Sequence, residues 1–157
     1  VMSKANTTEN DVIALIFNKT LPSYLGTLSG TGNTDLYVAF HTADPGEAGN
    51  QSTSEATYTG YARVAVVRTA GGWTVSGNQA SNTALIQFPQ CTGGTNTLTH
   101  VSIGTVASGA GQIIYSGALN SSLSVANLIQ PQFGVGALVV QEDYNLCLKN
   151  IIALIVN

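Results

Sequence analysis

LYVAFH, residues 36–41, is the segment at which the hydrophobic periodicity of the chain changes. Apolar residues are clustered as in a helix before it, whereas Leu36, Val38 and Phe40 alternate with their neighbours and share one face of a strand. From here onward, short apolar segments are separated by turns rich in Gly, Pro and Asn. This pattern predicts an all-β fold, a β-sandwich or jelly roll.

The next strand is predicted from Tyr61 to Thr69, after a long polar loop from Thr42 to Gly60 that opens with an Asp-Pro-Gly turn. Gly71 and Gly72 then lead into a strand from Trp73 to Val75, which predicts a hairpin of these two strands. The remaining strands are predicted at Ala84–Phe88, Leu98–Ile103, Gln112–Tyr115 and Ala137–Val140, with a weaker one at Leu123–Val125.

A helix is predicted near the beginning of the chain, from Thr8 to Thr20. Thr8 can cap the free N–H groups, and the acidic Glu9 and Asp11 fall in the first turn, where the helix dipole favours negative charge. Pro22 ends the helix in this interpretation. The β-branched residues of the segment leave an N-terminal strand as the alternative.

These elements divide the chain into three parts. Residues 1–33 form an N-terminal helical arm, with a Gly/Ser/Thr linker at its end. Residues 34–143 form the β-sandwich domain, and residues 144–157 are an apolar C-terminal segment. The apolar stretch within that segment is too short to span a bilayer, and residues 1–10 do not resemble a signal peptide, so we expect no membrane partner.

The chain carries very few charges. Asp, Glu, Lys and Arg make up 8% of the residues, against about 25% in an average soluble domain. The net charge is −3 with five basic residues, which argues against nucleic-acid binding. No charged residue occurs from Thr69 through Gln141, although charges normally protect sheet edges from aggregation. We therefore expect other subunits to cover part of this domain; a closed sandwich with short edges is the alternative.

The cysteines indicate neither a disulfide framework nor a metal site. Cys91 and Cys147 are far apart in sequence, a pattern that suits assembly in a reducing cytoplasm. His41, Asp44 and Glu47 occur at intervals of three, but the Asp-Pro-Gly turn prevents the helix that would align them. The chain also lacks a Gly-x-Ser-x-Gly elbow and a phosphate-binding glycine loop. We therefore predict no catalytic residue, no cofactor and no metal.

Three large side chains near the predicted second strand have two interpretations each. Arg63 and Arg68 are either solvated or form salt bridges to Asp44, Glu47 or Glu55 that order the long loop. Trp73 is either a core residue, which we favour, or a stacking platform for a sugar.

The order of several motifs resembles a family of small tailed-phage proteins often labelled "tail fibre". The matching segments extend from about Leu36 to Asp143 and are LYVAFHTADPGEAG at 36–49, SEATYTGYARV at 54–64, GWTVS at 72–76, FP at 88–89, CTGG at 91–94 and GAL at 117–119. This resemblance implies a structural component of a bacteriophage virion, assembled in the host cytoplasm, that is not an enzyme. Residues from Tyr144 onward depart from the family pattern.

The sequence leaves two interpretations of where the protein lies in the virion. A capsid cement or decoration protein, our first hypothesis, needs a compact domain with apolar segments that dock on the major capsid protein, on other virion subunits or on a second copy in a homo-oligomer. The candidate contacts are Val12, Leu15, Ile16, Phe17, Leu146, Leu148, Ile151 and Ile152. The alternative is a tail fibre or receptor-binding accessory protein, whose 42–60 loop would contact host polysaccharide.

Overall fold

The computed structural model describes residues 6–21, 32–142 and 151–153. The chain begins with helix α1, Asn6–Asn18, and all other regular elements of the described part are strands. They are β1 Asp35–His41, β2 Val64–Val67, β3 Trp73–Ser76, β4 Gln79–Asn82, β5 Ile86–Gln87, β6 Asn96–Gly104, β7 Ile113–Val125, β8 Gln132–Phe133, β9 Leu138–Gln141 and β10 Ile151–Ala153.

Eight strands form one sheet in the order β2-β1-β6-β7-β10-β9-β4-β3, and β5 pairs with β8 in a separate two-stranded ribbon. Strands β2 and β3 lie at opposite ends of this order, although only the residues from Arg68 to Gly72 connect them. A connection this short requires the two ends of the sheet to lie close together, so the sheet folds over on itself. The all-β prediction is confirmed, and the arrangement is consistent with a β-sandwich.

The predicted hairpin of residues 61–69 with residues 73–75 is wrong. Strand β2 pairs with β1, while β3 pairs with β4, in a register that places Trp73 opposite Asn82. The chain turns a tight corner at Gly72, where a Cβ atom would lie 2.1 Å from the carbonyl oxygen of Val67. Strand β4 has the sequence QASN and was missed because it lacks apolar alternation.

Strand β7 replaces two predicted strands, at Gln112–Tyr115 and at Leu123–Val125. It pairs with β6 along its length, through a register shift between Leu98 and His100. Its other edge meets β10 in parallel at Leu119. The long strand therefore connects the two halves of the folded sheet.

Aromatic side chains fill the core between the sheet and the ribbon. The ring of Phe40 lies 4.3 Å from that of Phe88 and 5.3 Å from that of Phe133, measured between centroids. Trp73 is completely buried, which confirms its prediction as a core residue.

Helix α1 is packed into this core, where the sequence predicted an arm. Ile13 and Phe17 are one helical turn apart and both fully buried. The ring of Phe17 contacts Trp73 edge-on at 4.7 Å and stacks on Tyr115 at 5.8 Å. The helix was correctly preferred over a strand, but its buried stripe belongs to the core of the β-domain.

The end of the helix is set by local geometry and by Arg68. Lys19 adopts a left-handed conformation with φ of +54°, and the N–H of Thr20 donates to the carbonyl of Ala14. Arg68 donates from Nε to the Ile16 carbonyl at 2.7 Å and from Nη2 to the Leu15 carbonyl at 3.0 Å. These carbonyls lack partners within the helix, and the guanidinium also complements the negative end of the dipole. The predicted terminator, Pro22, lies outside the described residues.

Candidate functional site

Backbone hydrogen bonds hold both ends of the 42–60 loop to the domain. His41 and Glu55 form an isolated β-bridge. The N–H of Thr42 donates to the Ser54 carbonyl at 2.8 Å, and the N–H of Ala56 donates to the Phe40 carbonyl at 2.9 Å. The loop therefore closes into a defined lobe at the end of β1.

Gln51 connects this lobe to the loop between β6 and β7. Its side chain is fully buried; Nε2 donates to the Tyr37 carbonyl at 3.2 Å, and Oε1 accepts from the N–H of Val106 at 3.1 Å. A Cβ atom at Gly104 or Gly111 would lie within 2.3 Å of the Gln51 side chain. Glycine at these two positions therefore provides the space that the amide occupies.

Arg63 makes the second connection between the two loops. Its Nε and Nη2 atoms bind the two carboxylate oxygens of Glu55 at 2.6 Å and 2.7 Å. The same guanidinium donates to the Val106 carbonyl at 3.0 Å and to the Gly109 carbonyl at 2.8 Å. The side chain of Arg63 is 1% exposed, so the bidentate pair is largely shielded from water. Of the two interpretations left open by the sequence, the loop-ordering salt bridge holds for Arg63, whereas Arg68 follows neither and binds carbonyls of helix α1.

His41 lies beneath the lobe with both ring nitrogens bonded. Nδ1 lies 2.7 Å from the Thr53 carbonyl, which only accepts, so Nδ1 carries the proton. Nε2 lies 2.8 Å from Ser102 Oγ and accepts its hydroxyl proton when the ring is neutral. Burial lowers the pKa of His41, against the opposing effects of its bond to Thr53 and of Glu55. Ser102 is also fully buried, so a substrate does not reach this hydroxyl–imidazole pair in the folded chain.

The spacing of His41, Asp44 and Glu47 does not produce a metal centre. His41 is engaged as described, and Asp44 Oδ1 accepts the N–H of Gly46 at 2.9 Å within the turn. Among the residues that the structure describes, no three His, Cys, Asp or Glu side chains are grouped so that they could hold a metal ion.

The candidate partner contacts are divided between surface, core and undescribed segments. Val12, Leu15 and Ile16 are half-buried on α1, whereas Phe17 lies in the chain's own core and would have to leave it to contact a partner. Residues 151–152 lie in β10, paired with β9. Leu146 and Leu148 lie outside the described residues.

Sequence reasoning missed a set of exposed apolar side chains. The largest exposed fractions are 72% at Val135 and 69% at Leu128, and the others are Leu85, Val67 and Ile129. The sequence offered no signal for them, because the face to which a short apolar segment points depends on its pairing. No helix in the described part is long and apolar enough to cross a membrane.

Comparison with known protein families gives one match over most of the chain. Residues 4–141 match the family model described as Podophage GP4 fiber I protein gp80. No curated protein matches the chain. The match covers the helix, the 42–60 loop and strands β1 to β9, and it confirms the resemblance carried by the motifs between residues 36 and 119. The chain therefore belongs to the Podophage GP4 fiber I protein gp80 family and is a structural protein of the phage virion.

Proposed function

We propose that this chain is a compact module of a fibre on the phage particle and acts as a rigid structural and binding unit. The observation that carries the proposal is the pair of loops, 42–60 and 105–112, held together by Arg63 and Gln51. Such buried polar links fix the shape of a surface before any partner binds, which lowers the entropic cost of binding. The description of the matching family as a fibre protein supports a position in a fibre of the phage particle.

The same end of the molecule carries a shallow polar groove of about 230 Å³, lined by Asn33, Thr34, Asp35, Tyr37, Thr105, Val106 and Ala107. Its amide, carboxylate and hydroxyl groups are suited to hydrogen bonding with a polar partner. This groove and the 42–60 loop are the surfaces that we assign to contacts outside the fibre.

Capsid cement is the second candidate. The uncharged span from Thr69 to Gln141 still favours a chain that packs against neighbours. The helix, however, offers less apolar surface for docking on a shell subunit than the sequence indicated, because Ile13 and Phe17 are already buried within the chain.

Imaging of labelled particles distinguishes the two positions. A short peptide tag inserted next to Ser108, at the exposed tip of the β6–β7 loop, is detected with a Fab fragment by electron microscopy. We expect Fab density on fibres that project from the particle, and no density on untagged particles. Density distributed over the shell would contradict the fibre proposal and support cement. Release of sugars from host polysaccharide by the purified chain would contradict a purely structural role.

A further inference from the structure

Helix α1 is docked on the sheet through a face that carries unpaired polar groups. Among the described residues, three buried side-chain polar atoms have no hydrogen-bond partner: Oε2 of Glu9, Oδ1 of Asn10 and Nε1 of Trp73. Glu9 and Asn10 belong to α1, and the ring of Trp73 contacts Phe17 of the same helix. All three atoms therefore belong to the helix or to a residue on which it packs.

Glu9 lies on the stripe by which the helix docks. It precedes Ile13 by four residues and Phe17 by eight, so the three side chains share one face of α1, and all three are buried. Glu9 is only 2% exposed, so its carboxyl group loses hydration without gaining a hydrogen bond at Oε2. An apolar residue would complete the stripe, whereas Glu9 weakens the docking of the helix.

Asn10 adds a second unfavourable group in the same half of the helix. Its Oδ1 atom lies at the turn between β3 and β4, 3.8 Å from the position that a Cβ atom would take at Gly77. The turn offers this oxygen no donor. The first half of α1 is therefore docked at the cost of two unpaired polar groups.

The second half of the helix is held by Phe17 and by the two carbonyl bonds from Arg68. The strand pairings of the described part do not include the helix. Sixteen residues separate Asn18 from Asp35, and a chain of this length spans up to about 50 Å. The helix can therefore leave the sheet without breaking a strand pair.

We propose that α1 is a releasable element, which leaves its docking site on β3 and β4 while the β-domain stays folded, and that Glu9 sets how readily it does so. Elements that move in function are drawn from the least stable parts of a fold, and residues that oppose the fold are retained mainly at such places. Release exposes the rings of Trp73 and Tyr115, which Phe17 contacts in the docked state. This change of conformation goes beyond the proposed function and does not depend on where the chain lies in the particle.

Hydrogen exchange of the purified full-length chain tests the proposal, with Glu9→Leu and Asn10→Leu as test variants. The control, Thr7→Leu, changes an exposed residue at the start of the same helix and reports the effect of leucine on the helix alone. Relative to intrinsic rates, we expect wild-type α1 amides to exchange about 100-fold faster than those of β1 and β6, or more. Each test variant is expected to slow α1 exchange by about 10-fold, the effect of removing one buried unpaired group, and the control to change it less.

Arg68→Met is expected to act in the opposite direction. It removes the two bonds to the last carbonyls of the helix, so α1 should exchange about 10-fold faster while β1 and β6 are unchanged. Opposite effects of Glu9→Leu and Arg68→Met, both confined to α1, are the signature of a helix that is released as a unit.

Trp73 provides a second readout, because it is the only tryptophan of the chain. As urea is raised, its fluorescence should change at a lower concentration than the circular dichroism of the strands, and Glu9→Leu should bring the two transitions together. Wild-type α1 exchange that matches β1 and β6, or test variants that behave as Thr7→Leu does, would overturn the proposal. Neither result affects the imaging of labelled particles, so the proposed function is tested separately.

Discussion

His41 makes the stability of the fold sensitive to acid. Its pKa is lowered from 6.5 because the ring is buried, and Arg63 and His100 add to this effect while Glu55 opposes it. Above pH 6.5 the ring is neutral in both the folded and the unfolded chain, so the stabilisation is complete. Below pH 6.5 the unfolded chain takes up a proton that the fold resists, and stability falls until the folded pKa is passed.

We therefore predict that the free energy of unfolding decreases below pH 6.5, with His41 contributing at most about 1.4 kcal/mol per pH unit. Urea titrations between pH 8 and pH 5 measure this, with His41→Asn as the test variant and the wild type as the reference. The variant is expected to be less stable at pH 8 and to show a flatter pH profile. Equal slopes in His41→Asn and the wild type would contradict the assignment.

Arg63 links the two loops through a bidentate ion pair with Glu55 and two backbone carbonyls. Arg63→Met removes the ion pair and leaves the carbonyls of Val106 and Gly109 without a donor. We expect a loss of about 3–5 kcal/mol in unfolding free energy, because breaking one side of a buried pair leaves the other charge unpaired.

A double-mutant cycle with Glu55→Met measures the coupling, and hydrogen exchange reports whether residues 42–60 and 105–112 open together. The Arg63→Lys variant keeps the charge but not the bidentate geometry, so we expect its unfolding free energy to lie between those of the wild type and Arg63→Met. A loss below about 1 kcal/mol for Arg63→Met would instead be the behaviour of an exposed pair.

At the scale of elements, helix α1 is held by its buried stripe and by Arg68. Because Phe17 contacts both Trp73 and Tyr115, we expect Phe17→Ala to destabilise the chain by about 3–5 kcal/mol in chemical denaturation. Leu15→Ala is the matched control on the same helix, and it should cost less because Leu15 is only half-buried. Equal costs for the two variants would mean that the helix does not dock as described.

The elements also differ in how far local pattern predicted them. Strands β1, β6 and β9 were predicted because apolar residues alternate or cluster within them. Strand β4 was missed because Asn82 is a buried polar residue whose amide donates to the Ala84 and Gly134 carbonyls at 2.7 Å. Its burial depends on a partner more than fifty residues away, which no local window contains.

At the scale of the whole molecule, the 73-residue span without charge contains four of the exposed large apolar side chains of the described residues, Leu85, Leu128, Ile129 and Val135. That neighbours shield this domain stays a prediction from the sequence. The loops joined by Arg63 and Gln51 lie at one end of the β6–β7 pair. That end carries the surfaces that we assign to contacts outside the fibre.

The sequence by itself determined the all-β class, the N-terminal helix, the core position of Trp73 and the resemblance to phage fibre proteins, because alternation, clustering of apolar residues and motif order are local properties. The predicted cap at Thr8 was wrong, since the helix begins at Asn6. Only the tertiary structure decided that Arg63 binds Glu55 while Arg68 binds the helix, that β2 and β3 do not pair, and that Leu128 is exposed. Each of these depends on which distant segments meet. The partner of a charged or apolar side chain is set by contacts between segments that are distant in sequence. Local periodicity does not encode such contacts.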